Sequence, residues 1–391
     1  MPATSTRIPG WLRVAATMFA VGWGANQFAA MLQVYPDEDG ASAEAVTALF
    51  GAYAIGLIPA LLIVGPISDR IGRRRVMRPV LVLSFVATVI LIVGGDHLWL
   101  LLLGRLAAGV ASGAAFAPGT AWIKELSADR GTGAGARRAT LALSGGFGSG
   151  PLVAGLCAQW LPAPTWLPYV PHLALMAAVI AFSWSAPEPA IRRSKDESRR
   201  RREVFAAMRS RPFVLGVTFT APWVFGAAAT SFATLPTFVD IGAAPVAVIG
   251  SLAGLTLWTG VAVQPIGRSI GDPRLTIVTG LAAAGLGLLT GILLDASSQS
   301  WLVVPAAMLL GAAYGLILVG GLTTVESVAH PGDLGALNAV FYSLTYTGFA
   351  APLLCTLALN SWSPATVMTS GVIVIVLTVP LVLASRPRLR H

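Results

Sequence analysis

Long apolar runs dominate the chain, separated by short polar breaks at a spacing that suits helices crossing a membrane. Marked off by charge clusters and turn residues, twelve candidate spans fall at approximately residues 11–34, 44–66, 78–95, 98–123, 138–160, 166–187, 213–236, 245–267, 274–294, 301–326, 334–358 and 363–385. A membrane barrel would show alternating segments of about ten residues, whereas Val80 to Val93 is almost continuously apolar. The predicted fold class is therefore all-α and integral to the membrane, with twelve transmembrane helices. The first run, Trp11 to Tyr35, is longer than the core of a cleavable signal and shows no convincing cleavage site, so it is expected to remain as the first span.

Composition agrees with this pattern. Of 391 residues, 55% are hydrophobic and only 11% charged, against roughly 25% charge in soluble domains. That is too little polar surface to cover a soluble globule, and it also excludes collagen, coiled-coil and disordered classes. A net charge of +9 could suit a nucleic-acid binder, so the placement of the charge decides. With the N-terminus inside, 25 of the 26 basic residues fall on the cytoplasmic side, Arg105 being the exception, while Asp37, Glu38, Asp39, Asp96, Asp240 and Asp295 fall in outer loops. This is the positive-inside pattern of a multi-pass protein with both termini cytoplasmic. Arginine outnumbers lysine 24 to 2, which reads as a GC-rich coding bias. Cys157 and Cys355 both lie in apolar segments and are expected to be free.

The only long polar stretch, Arg192 to Arg211, falls at the midpoint and carries Arg199 to Arg202. It divides the chain into two six-helix bundles, residues 1–187 and 212–391, joined by a cytoplasmic linker at 188–211. The linker is either a solvated connector or a contact for anionic lipid; with no aromatic residue among its arginines except Phe205, nucleic acid is not an expected partner. The halves repeat each other. An offset of 199 carries Pro66 and Gly72 onto Pro265 and Gly271, 202 carries Gly109 and Gly113 onto Gly311 and Gly315, and 201 carries Pro151 onto Pro352. Ordered matches at nearly one offset indicate a duplicated six-helix unit and thus pseudo-symmetric bundles.

Between the second and third spans the chain reads Gly65-Pro66-Ile67-Ser68-Asp69-Arg70-Ile71-Gly72-Arg73-Arg74-Arg75. Gly65 permits close helix approach, Gly72 a tight turn, and Asp69 places a carboxylate at a helix end among arginines. This loop resembles the signature of the major facilitator superfamily. The resemblance implies a conformational latch on the cytoplasmic side made by Gly65, Asp69, Gly72 and Arg73, with Glu125 as the acidic partner at the end of the fourth span. In the second half Arg268 takes the place of Asp69, so a symmetric second latch is not expected.

Arg105, inside the fourth span, costs at least about 2.5 kcal/mol on insertion scales, and such residues usually face an interior cavity; a snorkelling position near the outer face is the alternative. The stretch around it is similar to the superfamily's fourth-helix motif, whose arginine is linked to proton or substrate coupling. The fifth span reads Gly145-Gly146-Phe147-Gly148-Ser149-Gly150-Pro151-Leu152-Val153-Ala154-Gly155. Its small residues suit backbone-to-backbone packing, and Pro151 removes one helix hydrogen bond. The run, with Gly146, Gly150, Pro151 and Gly155 as its packing positions, resembles the Gly-Pro motif of drug and metabolite exporters that work as proton antiporters. Candidate cavity groups are Trp23, Asn26, Gln27, Tyr53, Arg105, Trp223, Phe225, Trp258, Tyr314, Tyr342 and Tyr346, a largely aromatic set that suits a lipophilic or amphipathic small molecule.

No catalytic constellation is visible, no metal or other cofactor is expected, and the four histidines fall at span ends or the terminus without metal-ligand spacing. A phosphate-binding Gly-Lys-Ser/Thr loop is missing, so ATP is not the expected energy source. The sequence reads as a secondary transporter of a small molecule, a monomer of a bacterial inner membrane, exporting by proton antiport. An importer or facilitator of a small polar metabolite is the alternative, and a membrane-embedded enzyme the reading from another class. Coupling is the open step, since exporters of this kind often carry a carboxylate in the first helix and this chain has Trp23, Asn26 and Gln27 there. Asp37 or Glu44 at the outer boundary, modulated by Arg105, is the expected carrier of protons. The topology is checked by reporters active only outside the cytoplasm: fused after Arg211 or at His391 they should be silent, and activity at either point contradicts the helix count.

Overall fold

The computed structural model describes residues 8–35, 40–95, 97–130, 134–189, 197–330 and 333–385. Among these, ten helices are long and apolar enough to cross a membrane. They are α2 (Ala43–Ile71), α3 (Arg73–Val93), α4 (Leu98–Glu125), α5 (Ala134–Trp160), α8 (Arg211–Phe238), α9 (Pro245–Ser269), α10 (Pro273–Ser297), α11 (Ser300–Val328), α12 (Leu334–Leu359) and α13 (Pro364–Leu383). Two shorter segments complete the twelve spans. α1 (Gly10–Asn26) continues as a 3-10 stretch, Gln27–Leu32, and α6 covers Leu167–Ser183. The remaining helix, α7 (Glu197–Met208), lies in the polar stretch between the halves. Asp37, Glu38, Asp39, Asp96 and the basic residues at 192, 193 and 195 lie outside the described residues.

Local chemistry sets several helix ends. Ser42 and Ser363 accept from the backbone N–H of Ala45 and Thr366 and so cap α2 and α13. Gly72 has φ +106°, which only glycine adopts readily, and it lets α3 begin at once where α2 stops. Large apolar side chains such as Val376, Leu377 and Leu354 stay exposed along the flanks, where lipid replaces water. Trp99, Trp160, Trp301 and Trp362 stand exposed at the ends opposite the arginine-rich loops, the headgroup level where indoles collect. Those ends are called outer below.

Glycine contacts hold the helices together. On α4, Gly109 and Gly113 press against the backbone of Tyr53 and Leu57 on α2, and on α11, Gly311 and Gly315 press against Thr256 and Gly260 of α9. The repeated glycines therefore serve the same helix pair in each half. Between the halves, α5 meets α9 and α2 meets α12. Gly155 lies against Val246 and Gly250, the Pro151 carbonyl faces Gly250, and Gln159 Oε1 accepts from the N–H of Val246 at 3.1 Å. Gly51 lies against the Phe349 carbonyl, and Asn360 Nδ2 donates to Glu44 Oε1 at 3.0 Å. All these contacts lie in the outer half of the molecule, so the structure is closed on the outer side.

A Cβ at Gly113 would collide with the Leu57 backbone, whereas one at Gly285 meets nothing within 4 Å. Gly113→Ala should therefore lower the stability of the purified protein by about 1–3 kcal/mol, with Gly285→Ala close to neutral. Thermal melting in detergent compares the two.

Candidate functional site

Rings from both halves meet at the centre. Tyr346 of α12 stacks on Phe225 of α8 with centroids 4.5 Å apart and on Phe116 of α4 at 6.2 Å. Phe349 stacks on Phe50 of α2 at 4.9 Å, and lies 5.7 Å from Tyr53 and 5.2 Å from Phe225. Tyr314 of α11 joins through Phe225 at 5.6 Å, Phe147 of α5 through Phe116 at 5.7 Å and Phe232 through Phe50 at 6.1 Å. Such pairs add about 0.5–1.5 kcal/mol each beyond their burial, so the cluster is a cohesive seal on the outer side.

Two helix breaks serve this centre. α12 turns to 3-10 geometry over Thr347–Ala350, which carries Phe349, and α1 does so over Gln27–Leu32, which carries Phe28. Phe28 belongs to the surroundings of Arg105, whose side chain is fully buried and does not snorkel. Its Nε donates to the Leu49 carbonyl at 3.2 Å and its Nη2 to that of Phe50 at 3.1 Å. The rings of Phe28 and Tyr53 lie 4.6 and 4.7 Å from the guanidinium carbon. Carbonyls and π faces thus replace a carboxylate counter-ion, and Nη1 is buried without a hydrogen-bond partner.

Of the sequence candidates, Tyr53, Phe225, Tyr314 and Tyr346 enter the cluster, with Arg105 beside Tyr53. Tyr342 packs on Phe341 at 5.6 Å instead. Trp223 lies against Gly371 of α13, away from the cluster, and Trp258 is 43% exposed with its indole over Gly148 of α5. Trp23 packs on Phe19 at 5.9 Å and runs along Gly146 and Gly150 at the α1–α5 crossing; its indole N–H is buried and unpartnered. Asn26 and Gln27 are buried. Gln27 Nε2 lies 3.4 Å from Nδ1 of His172, and that histidine corrects the expectation that all four sit at span ends. It occupies the interior between α1, α3 and α6 with no exposed surface. Phe50, Phe116, Phe147, Phe232 and Phe349 are functional candidates that the sequence reading missed.

At the arginine-rich end, Arg73 bridges two carboxylates, Asp69 at 2.6 Å and Glu125 at 2.9 Å, and also donates to Ser68 Oγ at 3.1 Å. Gly65 faces Ala117 of α4. Glu188, also missed, accepts from the Arg74 N–H at 3.0 Å, where the first turn of α3 presents free donors. Trp122 Nε1 donates to the Pro187 carbonyl at 2.8 Å, and Arg78 to that of Trp184 at 2.6 Å. In the second half the loop pairs with itself: Arg274 donates to Asp272 at 2.7 Å and holds that carboxyl below its ordinary range, and Arg268 donates to Gln264 at 3.4 Å. Glu44 is at the outer end bonded to Asn360, and Asp37 lies outside the described residues.

On the flank of the α2–α12 contact, an almost wholly apolar groove of about 650 Å³ is lined by Leu49, Ile55, Trp99, Leu102, Ala350 and Leu353. Among the described residues no group of histidine, cysteine and acidic side chains could hold a metal ion, and Cys157 and Cys355 are free thiols.

Comparison with known proteins agrees with this architecture. The family model described as Major Facilitator Superfamily matches residues 14–346. No curated protein matches the chain. Two crystal structures of the nucleoside transporter NupG share the fold. A mutant form has TM-score 0.76 and 12% identity over 96% of this chain and 99% of that one; the second has TM-score 0.72 and 13% identity over 97% and 98%. With a family match spanning most of its length, this chain belongs to the major facilitator superfamily and is a multi-pass membrane transporter rather than an enzyme.

Proposed function

We propose that this protein exports a small amphipathic molecule carrying a flat unsaturated ring, by alternating access coupled to proton entry. The observation that carries the reading is the cluster of rings shared by both halves. Among the described residues the polar groups beside it are few: the hydroxyls of its own tyrosines, and one guanidinium already engaged with carbonyls and π faces. Such a site rewards stacking and a small number of hydrogen bonds, with no fixed acid to demand a cation. The apolar groove beside α2 and α12 offers a path from the bilayer for a lipophilic compound. Export is supported by the Gly-Pro run, which lies where α5 crosses both α1 and α9, so bending at Pro151 moves one half against the other.

A second reading, nucleoside uptake, draws on the likeness to NupG and on the same rings, since a nucleobase also stacks. Two probes separate them. In everted vesicles with an imposed pH gradient, chloramphenicol, a neutral aromatic amphipath, should accumulate, and uridine should not. Accumulation of uridine in right-side-out vesicles with no movement of chloramphenicol contradicts export.

The latch follows from the same cycle. Arg73 ties the end of α2 to the end of α4 through Asp69 and Glu125, and holds the cytoplasmic surface of one half in the shape that closure requires. Asp69→Asn should lower turnover about tenfold, the size of effect expected for about 1.4 kcal/mol of lost conformational bias. Substrate affinity and membrane insertion should be preserved. Initial-rate transport and equilibrium binding check this, and unchanged turnover removes the latch from the mechanism.

A further inference from the structure

His172 is held at both ring nitrogens. Nε2 lies 3.0 Å from the Ala20 carbonyl of α1, an acceptor only, so this nitrogen carries a proton in either charge state. Gly24 makes room for the ring, since a Cβ there would come within 2.6 Å of Nε2. Nδ1 faces the Thr88 hydroxyl of α3 at 2.8 Å and the Gln27 amide nitrogen at 3.4 Å. With the ring neutral, Nδ1 accepts from both. Gln27 Oε1 is then buried with no partner.

A proton on Nδ1 reverses these roles. The Thr88 hydroxyl becomes the acceptor, and its own hydrogen turns to the Ser84 carbonyl, already 3.1 Å away. Gln27 cannot keep its orientation, because two N–H donors would face each other. A half-turn of the amide brings Oε1 to the ring and points the NH2 group where the unpartnered oxygen stood. One pocket thus partners both ring nitrogens of imidazole and of imidazolium, and the Gln27 amide is turned oppositely in the two states.

The surrounding charges leave this proton uncompensated. α6 packs against α1, α3 and the turn before it. The cations of α1 and α3 sit at the cytoplasmic end, where Arg13 bonds to Ser185, Arg78 to Trp184, Arg73 to Asp69 and Glu125, and Arg74 to Glu188, with Arg75 in the same cluster. Tyr169 pairs with Tyr35 at 2.8 Å, and Arg105 is held by the carbonyls of α2. An imidazolium here is a buried net charge, and a rearrangement that hydrates it is favoured.

We propose that His172 binds the transported proton and that the Gln27 amide turns with its occupancy. This rests on the proton-exchange reading given above, and the test separates the two. In a variant retaining His172 alone (His97→Gln, His330→Gln, His391→Gln), labelled with ¹⁵N in lipid nanodiscs, the imidazole nitrogens are followed by NMR from about pH 9 to about pH 4. The expected result is a neutral ring protonated on Nε2 at the alkaline end, a doubly protonated ring at the acid end, and Gln27 side-chain resonances moving with the same midpoint. A ring that keeps one state throughout, or carries its proton on Nδ1 at the alkaline end, overturns the proposal. In proteoliposomes, chloramphenicol movement by the parent should follow an imposed pH gradient, and His172→Gln should lose that response. An equal response in the parent and His172→Gln overturns the site; no response in the parent overturns proton exchange itself, while the titration still decides whether His172 binds a proton.

Discussion

Apolar side chains gain nothing by leaving lipid for a protein interior of the same polarity, so helices in a bilayer are held by how closely their backbones can approach. The rest of this structure depends on that constraint. Gly109 and Gly113 let α4 lie against α2, Gly311 and Gly315 do the same for α11 against α9, and Gly155 and Gly250 bring α5 and α9 together across the halves. Because the crossings within each half outnumber those between halves, each half can move as a body while the outer contacts open.

The same low dielectric makes every buried polar group costly unless a partner is supplied. Arg105 is stabilised without a carboxylate, by two carbonyls of α2 and the faces of Phe28 and Tyr53. Those carbonyls belong to Leu49 and Phe50, and the Phe50 ring stacks on Phe349 from the other half. The arginine thereby fixes the stretch of α2 that forms the outer seal. Opening that side costs the unstacking of these rings together with the Gln159–Val246 and Asn360–Glu44 hydrogen bonds.

Spans, halves and the arginine-rich loop were legible because each rests on a one-dimensional signal: apolar length, arginine clustering, or fixed motif spacing. Helix irregularity was not. Nothing in the run from Trp11 to Tyr35 marks the change of geometry at Gln27, since it is set by packing around Arg105 and His172 rather than by proline or glycine. The aromatic centre was legible only in part. In a helix that is apolar on every side, periodicity no longer tells which ring faces inward, so Phe116 and Phe349 looked like any lipid-facing phenylalanine while Trp223 and Trp258 looked central. Tyrosines were better guides, as their hydroxyls disfavour lipid. Glu188 and His172 act through neighbours more than 80 residues away in sequence, which no local pattern discloses.

The central claim is that the two halves exchange access to the aromatic centre by moving against each other. Paired spin labels measure this directly, one pair at Ser42 and Ser361 on the outer ends of α2 and α12, the other at Ala128 and Ser269 on the opposite side. Distances are recorded by pulsed electron resonance in nanodiscs across pH and with transported substrate. The account predicts a short outer distance in the resting protein, and a shift in which the outer pair separates as the inner pair draws together. Two distances that stay fixed, or that lengthen and shorten in step, would contradict it.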